Sequence, residues 1–312
     1  MKTYLVTGGA GFIGSHLAEE LVRRGEKVRV LDNFFTGKRE NLVPFRNFIE
    51  LLEGDIRDPE TCRRALRGVD YVLHQAALTS VPRSISDPLL NHDVNISGTV
   101  NMLLASYEAK VKRFVFASSA AVYGDSQAFP LKEGNEGALM SPYALSKSVG
   151  EKYCQLFYQL YGLETVCLRY FNVFGPRQDP FSAYASVIPL FISKIISEER
   201  PQIFGDGEQS RDFVFVADAV EANLRGVEAP DEALGEVFNI ACGERTSINT
   251  LVREISELTS VAVMPIYTDP RPGDILHSFA DIGKARSVLG FEPVVGLKQG
   301  LRKTAQWYKE RS

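Results

Sequence analysis

Four cysteines, four histidines and a single tryptophan are all that 312 residues supply of those types. Cys62, Cys154, Cys167 and Cys242 stand apart, without a CxxC pair or metal-ligand spacing. In a chain of this length they read as reduced packing thiols of a cytosolic protein. His16, His74, His92 and His277 are equally isolated, so no zinc site is expected. No apolar run approaches the roughly 18 residues that suggest a membrane span. The stretch Met1–Thr7 runs straight into a strand-like pattern and lacks the charged start and cleavage site of a secretory signal. With a net charge of −4 and no long run of one sign, the chain offers no basic surface for nucleic acid. These absences point to a cytoplasmic protein that neither enters a membrane nor binds nucleic acid.

What remains is an ordinary globular composition, 45% hydrophobic and 24% charged, long enough for one large or two modest domains. The first half alternates short β-rich runs with longer helical patterns. Strands are predicted at Lys2–Thr7, Lys27–Asp32, Phe48–Glu53, Tyr71–His74, Phe114–Ser118 and Thr165–Tyr170. Several are almost wholly apolar, as strands covered on both faces must be. Helices are predicted at Phe12–Arg24, Pro59–Leu66, Pro88–Ala109 and Pro142–Tyr161, which gives an α/β, doubly wound parallel sheet. After Phe171 prolines break the chain into short elements. Helical patterns persist at Ala217–Val227, Ile248–Thr259 and Leu297–Arg311. We therefore expect a nucleotide-binding domain over residues 1–171, rejoined by a segment near 210–240. A smaller α/β lobe for substrate is expected over 172–312.

Gly8, Gly11 and Gly14 follow the first strand and open the first helix. Residues without Cβ let a backbone turn approach a pyrophosphate, and the helix N-terminus then offers unpaired N–H groups to it. Glycines alone would mark only a tight turn. The flanking strand and helix, with Asp32 ending the second strand, make a dinucleotide site the stronger reading. A carboxylate at Asp32 accepts from both ribose hydroxyls and repels a 2′-phosphate, which favours NAD over NADP, although Lys38 and Arg39 lie nearby. Asp55, followed by Ile56, either frames the adenine or caps the next helix.

Tyr143 and Lys147 lie four residues apart in a helical pattern, so both side chains share one face. An adjacent ammonium, together with the positive nicotinamide ring, would draw a phenol pKa of about 10 toward the working range. Ser119, ending the fifth strand, could hold the same substrate hydroxyl. With these residues the chain resembles the extended short-chain dehydrogenases/reductases of the nucleotide-sugar epimerase and dehydratase branch, over nearly its whole length. The resemblance rests on the glycine loop, His74-Gln-Ala-Ala77, Asn95-Ile-Ser-Gly-Thr99, Ser118-Ser-Ala-Ala-Val-Tyr-Gly124, Tyr143 with Lys147, Arg169-Tyr-Phe-Asn-Val-Phe-Gly175 and Arg271-Pro-Gly-Asp274.

The resemblance implies a Rossmann sheet and a catalytic triad of Ser119, Tyr143 and Lys147. Tyr143 would serve as base and acid, and Lys147 would also bind the nicotinamide ribose. NAD would further meet Gly8, Gly11, Phe12, Ile13 and Gly14, then Asp32, Asn33, Asp55 and Ile56. Gln75, Ala76, Ala77, Asn95, Ser118, Tyr170 and Phe171 complete that set, with Phe171 beside the nicotinamide. Asn172, Arg211, Arg271 and Asp274 would hold the UDP, and Val187, Gln202, Ile203 and Phe204 would line the uracil. Thr79, Ser80, Val81, Arg83 and Ala120 would lie near the sugar. The resemblance also implies a homodimer, through Asn95–Ala109 and Pro142–Tyr161 paired into a four-helix bundle.

In related dehydratases an Asp-Glu pair follows the triad Ser/Thr, and decarboxylases place a Glu there. This chain has Ala120 and Ala121, which cannot transfer a proton. Reversible 4-epimerisation of a UDP-hexose, through a 4-keto form with transient NADH, is then the expected reaction. Ser278, four residues after Asp274, matches the position that gates the sugar pocket in these epimerases. A small residue there admits a 2-acetamido group, so UDP-GlcNAc and UDP-GalNAc are the expected pair, with UDP-Glc and UDP-Gal as second substrates. The competing readings are a UDP-glucose or UDP-glucuronate 4-epimerase, and a non-catalytic NAD-binding protein, a class that typically loses the tyrosine or lysine.

Overall fold

The computed structural model describes residues 1–180, 186–270 and 276–311. Six strands, β1 (Thr3–Thr7), β2 (Lys27–Asp32), β3 (Ile49–Glu53), β4 (Tyr71–His74), β5 (Arg113–Ser119) and β6 (Glu164–Tyr170), alternate with helices. These are α1 (Phe12–Arg23), α2 (Pro59–Ala65), α3 (Val81–Ser86), α4 (Pro88–His92), α5 (Gly98–Glu108) and α6 (Pro142–Tyr161). The β-branched and aromatic residues of β1, β5 and β6 are buried almost without a break, so both faces of the sheet need cover. Helices supply it, with one apolar core on each face.

A seventh strand, Glu236–Ile240, pairs with β6, and the order across the sheet is Glu236–Ile240, β6, β5, β4, β1, β2, β3. Every neighbouring pair is parallel. This is the doubly wound Rossmann arrangement expected from the sequence. Its strand order reverses between β1 and β4, and a crevice opens there beyond the carboxyl ends of the strands.

The helix expected over Pro88–Ala109 is interrupted by a π turn at Asp93–Ser97, where four hydrogen bonds to the Asn95 side chain favour a wider turn. The third strand starts one residue later than expected, at Ile49. Helix α6 begins where Ser141 accepts from the Ala144 N–H at 3.1 Å, has Pro142 in its first turn, and ends at Gly162 with φ +69°. Both ends are thus fixed by local chemistry, which sets the register of Tyr143 and Lys147 against β5.

The remaining short elements form a smaller α/β lobe. Helices Val187–Ile196, Ile248–Thr259 and Leu297–Lys309 pack a separate core around Phe191, Ile192, Leu251, Ile255 and Leu301. Strand Ser210–Arg211 lies between Thr246–Ser247 and His277–Ser278, and Gln202–Phe204 pairs with Ile266–Thr268. Among the described residues no helix is long and apolar enough to cross a membrane.

Candidate active site

The crevice floor is the glycine turn. Gly8 has φ +65°, and a Cβ there would lie 2.8 Å from the Ala76 nitrogen; a Cβ at Gly14 would lie 2.2 Å from the Gly8 oxygen. The turn therefore packs against the extension of β4, and only glycine fits. Helix α1 starts at Phe12 with no side-chain cap and no acid in its first turn, which leaves its N-terminal N–H groups to an anion. Phe12 and Ile13 turn their side chains into apolar packing. Asp32, 7% exposed, accepts from the N–H of Ala10 at 2.9 Å and of Phe34 at 2.8 Å. Burial raises its carboxyl pKa, and those two N–H groups oppose the rise. Each oxygen keeps a lone pair for a ribose hydroxyl. A helix end for a diphosphate and a carboxylate for a diol are the donor set that a dinucleotide needs.

Asp55 neither caps a helix nor stands free. Arg57 and Asn33 bind its carboxylate and pull its pKa down to about 2, the Arg57 side chain being the larger cause. Asp58 is the cap of α2. Ile56 is buried, packed against Gly98.

Several residues assigned to NAD spend their side chains elsewhere. Asn95 is buried and bonds the N–H and carbonyl of Leu78 at 2.7 and 2.9 Å, together with Asn91 and Ser146. It fastens the segment after Ala76 and Ala77 to the helix pair, so its side chain is committed within the protein. Gln75 bonds the Tyr170 hydroxyl and Asn223, and the Tyr170 hydroxyl also accepts from Asn223 at 2.6 Å. Ser118 donates to Glu151 in the space between β5 and α6. Phe171 packs in a cluster with Val122, Tyr123, Leu131 and Ala241. In each case burial demanded a partner that the fold supplies from a distant element.

Ser119, Tyr143 and Lys147 meet where β5 faces α6. Tyr143 is 8% exposed; its backbone N–H donates to Ser84, and the Ser119 side chain lies near enough to its phenol to hold its pKa down. Lys147, 4% exposed, donates to the Ala117 carbonyl at 2.8 Å, with Nζ 6.0 Å from the centre of the Tyr143 ring. The expectation that the ammonium lowers the phenol pKa is not met by the protein alone. Burial raises Tyr143, and only the Ser119 side chain opposes it. Burial also lowers Lys147 to about 8, against the pull of Glu151. At neutral pH the pair is thus a protonated phenol beside a mostly charged lysine. Ala120 and Ala121 follow Ser119, with no carboxylate in those two positions.

Glu151 escaped the sequence reading. It lies one turn beyond Lys147 on the same face and is 2% exposed. Both its oxygens accept from Arg169 at 2.8 Å, and Arg169 also reaches Glu136 and lies over the Tyr123 ring. The spacing Tyr143, Lys147, Glu151 was the available signal.

Beyond this constellation lies a cavity of about 260 Å³ lined by Asn172, Val187, Gln202, Ile203, Phe204 and Arg211. Six residues assigned to the nucleotide are thereby brought together. Phe174, Phe191 and Gln209 line it as well and were not anticipated. Ser278 pairs with Arg211 in adjacent strands, which puts its side chain beside the cavity. Ser80 caps α3 by accepting from the Arg83 N–H, Thr79 and Val81 are exposed, and the Arg83 guanidinium lies over Phe35. Arg271 and Asp274 lie outside the described residues.

The sequence profile of the NAD-dependent epimerase/dehydratase family matches residues 4–241. A UDP-N-acetylglucosamine 4-epimerase from Methanobrevibacter ruminantium, solved with UDP-N-acetylmuramic acid, superposes with a TM-score of 0.95 at 42% identity, covering 100% of this chain and 99% of that one. A UDP-glucose 4-epimerase from Thermotoga maritima, solved with UDP-glucose, superposes at 0.94 with 39% identity, covering 99% of each. The UDP-glucose 4-epimerase of Mycolicibacterium smegmatis is 37% identical over 316 residues, the whole of both chains. The chain belongs to the NAD-dependent epimerase/dehydratase family and is an NAD-dependent epimerase.

Proposed function

We propose that the chain inverts carbon 4 of a UDP-hexose, interconverting UDP-GlcNAc and UDP-GalNAc, with UDP-Glc and UDP-Gal as second substrates. The observation that carries this reading is a buried Ser119–Tyr143–Lys147 constellation followed by Ala120 and Ala121 in place of carboxylates. The site can move a proton to and from one hydroxyl, while those two positions offer nothing to drive elimination. Tyr143 takes the proton of the sugar 4-hydroxyl and returns it. Ser119, beside Tyr143, holds that hydroxyl in line. Lys147 keeps a positive charge one helical turn away. Bound NAD supplies a two-electron acceptor that each turnover restores. The sugar passes through its 4-keto form and turns about its diphosphate, and the nucleotide stays in the cavity lined by Asn172, Phe204 and Arg211.

The acetamido preference rests on Ser278, whose small side chain neighbours Arg211 across two strands. Incubation with UDP-GlcNAc, UDP-Glc and UDP-glucuronate without added NAD, then separation of the products, tests the reading. We expect the highest kcat/KM for the acetamido sugar, and Ser278→Tyr should cut that value by on the order of a hundredfold while sparing UDP-Glc. A wild-type enzyme that turns over only UDP-Glc or UDP-glucuronate would refute the substrate choice and leave the epimerase intact.

We read residues 1–171, joined by the segment near 210–240, as the NAD-binding domain and residues 172–312 as the UDP-sugar lobe, a division supported by the pairing of Glu236–Ile240 with β6. Helices α5 and α6 expose Leu104, Tyr107, Leu145, Tyr153, Leu156 and Leu160. Such a face on two neighbouring helices supports the homodimer through a four-helix bundle, and a monomer by light scattering would reject it. The free thiols Cys62, Cys154, Cys167 and Cys242 suit the reducing cytoplasm.

A further inference from the structure

The guanidinium of Arg83 lies over the ring of Phe35, 4.7 Å from its centre. The two residues belong to opposite walls of the crevice. Phe35 follows β2 and the carboxylate of Asp32, whereas Arg83 sits in α3, which follows β4. In the sheet, β1 lies between β4 and β2. A contact between the loop after β2 and the helix after β4 must therefore bridge the carboxyl end of β1, which is the glycine turn.

Both ends of the bridge are anchored on groove residues. The Phe35 N–H donates to the Asn33 side chain at 3.0 Å, and Asn33 is in turn held by Asp55. Phe34 adopts φ +57°, a conformation that non-glycine residues rarely take, and its N–H donates to Asp32. At the other wall the Arg83 N–H donates to the Ser80 hydroxyl, a few residues past Ala77. The Lys38 N–H closes the base of the loop on the Ala10 carbonyl at 3.0 Å. Phe35 is nonetheless 55% exposed, so core packing does not account for the placement of its ring.

We propose that Arg83 and Phe35 form a strap across the dinucleotide groove that retains NAD, so that Arg83 serves the cofactor and not the sugar. The inference rests on the NAD site of the family. A cation stacked on a ring above the turn closes the groove to solvent and adds positive charge where a diphosphate is bound. Loading and release of the dinucleotide require this contact to open, whereas the sugar enters from the lobe side.

The test is dinucleotide release. Wild type, Arg83→Ala, Phe35→Ala and the double variant are loaded with NADH, chased with excess NAD, and followed by the loss of nicotinamide fluorescence. Each single substitution should speed release on the order of tenfold, and the double variant should release no faster than the quicker single one, because either change opens the same contact. Phe35 is exposed and Arg83 only half-buried, so the fold survives their truncation. Release rates unchanged within about twofold in both single variants would overturn the strap. Acceleration by Arg83→Ala alone would also overturn it, since Arg83 would then act on the phosphates without Phe35. A wild-type protein that binds no dinucleotide would overturn the cofactor reading itself, and the strap with it.

Discussion

Replacing Lys147 by methionine separates what the site needs from what the fold tolerates. The side chain is 4% exposed, and burial brings an amine that ordinarily titrates at 10.5 down to about 8. At about 1.36 kcal/mol per pH unit, that gap means the folded chain gives up about 3 kcal/mol at pH 7 to hold this charge inside. Methionine fills similar space without charge. Its cost is the Ala117 carbonyl, which loses a donor at 2.8 Å, worth about 1–3 kcal/mol. At pH 7 the variant should therefore be as stable as wild type, or more stable by up to about 2 kcal/mol.

The pH dependence removes the uncertainty of that offset. Between pH 8 and 10.5 the unfolded wild-type chain still carries the lysine proton that the folded chain has released. Wild-type stability accordingly rises with pH through this window, while the variant has nothing to titrate there. The variant's stability relative to wild type should fall by about 2 kcal/mol from pH 7 to pH 9.5. Urea unfolding of cofactor-stripped protein at both values measures it, with the slope on denaturant checked for constancy. Epimerase activity should meanwhile drop on the order of a hundredfold or more. A stability difference that stays constant with pH would refute the claim that Lys147 is held charged against burial.

Tyr143→Phe keeps the ring and its packing and removes only the hydroxyl, so epimerisation should fall at least about a hundredfold while bound NAD and melting temperature are retained; full activity would mean that the base is another group. His16 donates its Nε2–H to the Pro176 carbonyl at 2.9 Å, and burial followed by Arg177 lowers its pKa to about 4. The unfolded chain takes up the titrating proton first, so about 2–3 kcal/mol of stability should vanish as the pH falls from 6.5 toward 4.5, and His16→Gln should flatten this part of the melting-temperature profile. Gly8→Ala places a Cβ 2.8 Å from the Ala76 nitrogen at φ +65°, which should cost about 1–3 kcal/mol and empty the protein of NAD, read by thermal melt and by dinucleotide content.

The central sheet was legible because its signals are local. An apolar run between glycine or proline punctuation makes β1, β4 and β5 strands wherever they sit, and alternation with helices makes their sheet parallel. The glycine turn and the Tyr143–Lys147 pair were legible for the same reason, since each needs only a short spacing. The lobe was not. Ser210–Arg211 and His277–Ser278 are strands of two residues whose partners lie 67 positions away, and no periodicity of that length exists to be read. The polar partners of Asn95, Ser118 and Tyr170 were hidden by the same cause. A family motif names a residue, but burial decides which way its side chain is spent.

Arg169 shows what that means for the site. It is 5% exposed, and its guanidinium is shared between Glu151 and Glu136 while resting on Tyr123. Two charges taken out of water recover little net stability even at good geometry, so this network is poorly explained as a stabiliser. What it does give is direction. Ser118 and Glu151 tie β5 to α6 immediately below Ser119 and Lys147, and a pair that bonds at both oxygens tolerates little rotation. The hydroxyls of Ser119 and Tyr143, proposed to act together, come from different elements, one strand and one helix. The two side chains stay within reach of one another only if those elements keep a fixed offset, and an apolar interface, which can slide, would not supply that constraint. The buried charge is thus better understood as the device that keeps the proposed proton-transfer pair in register.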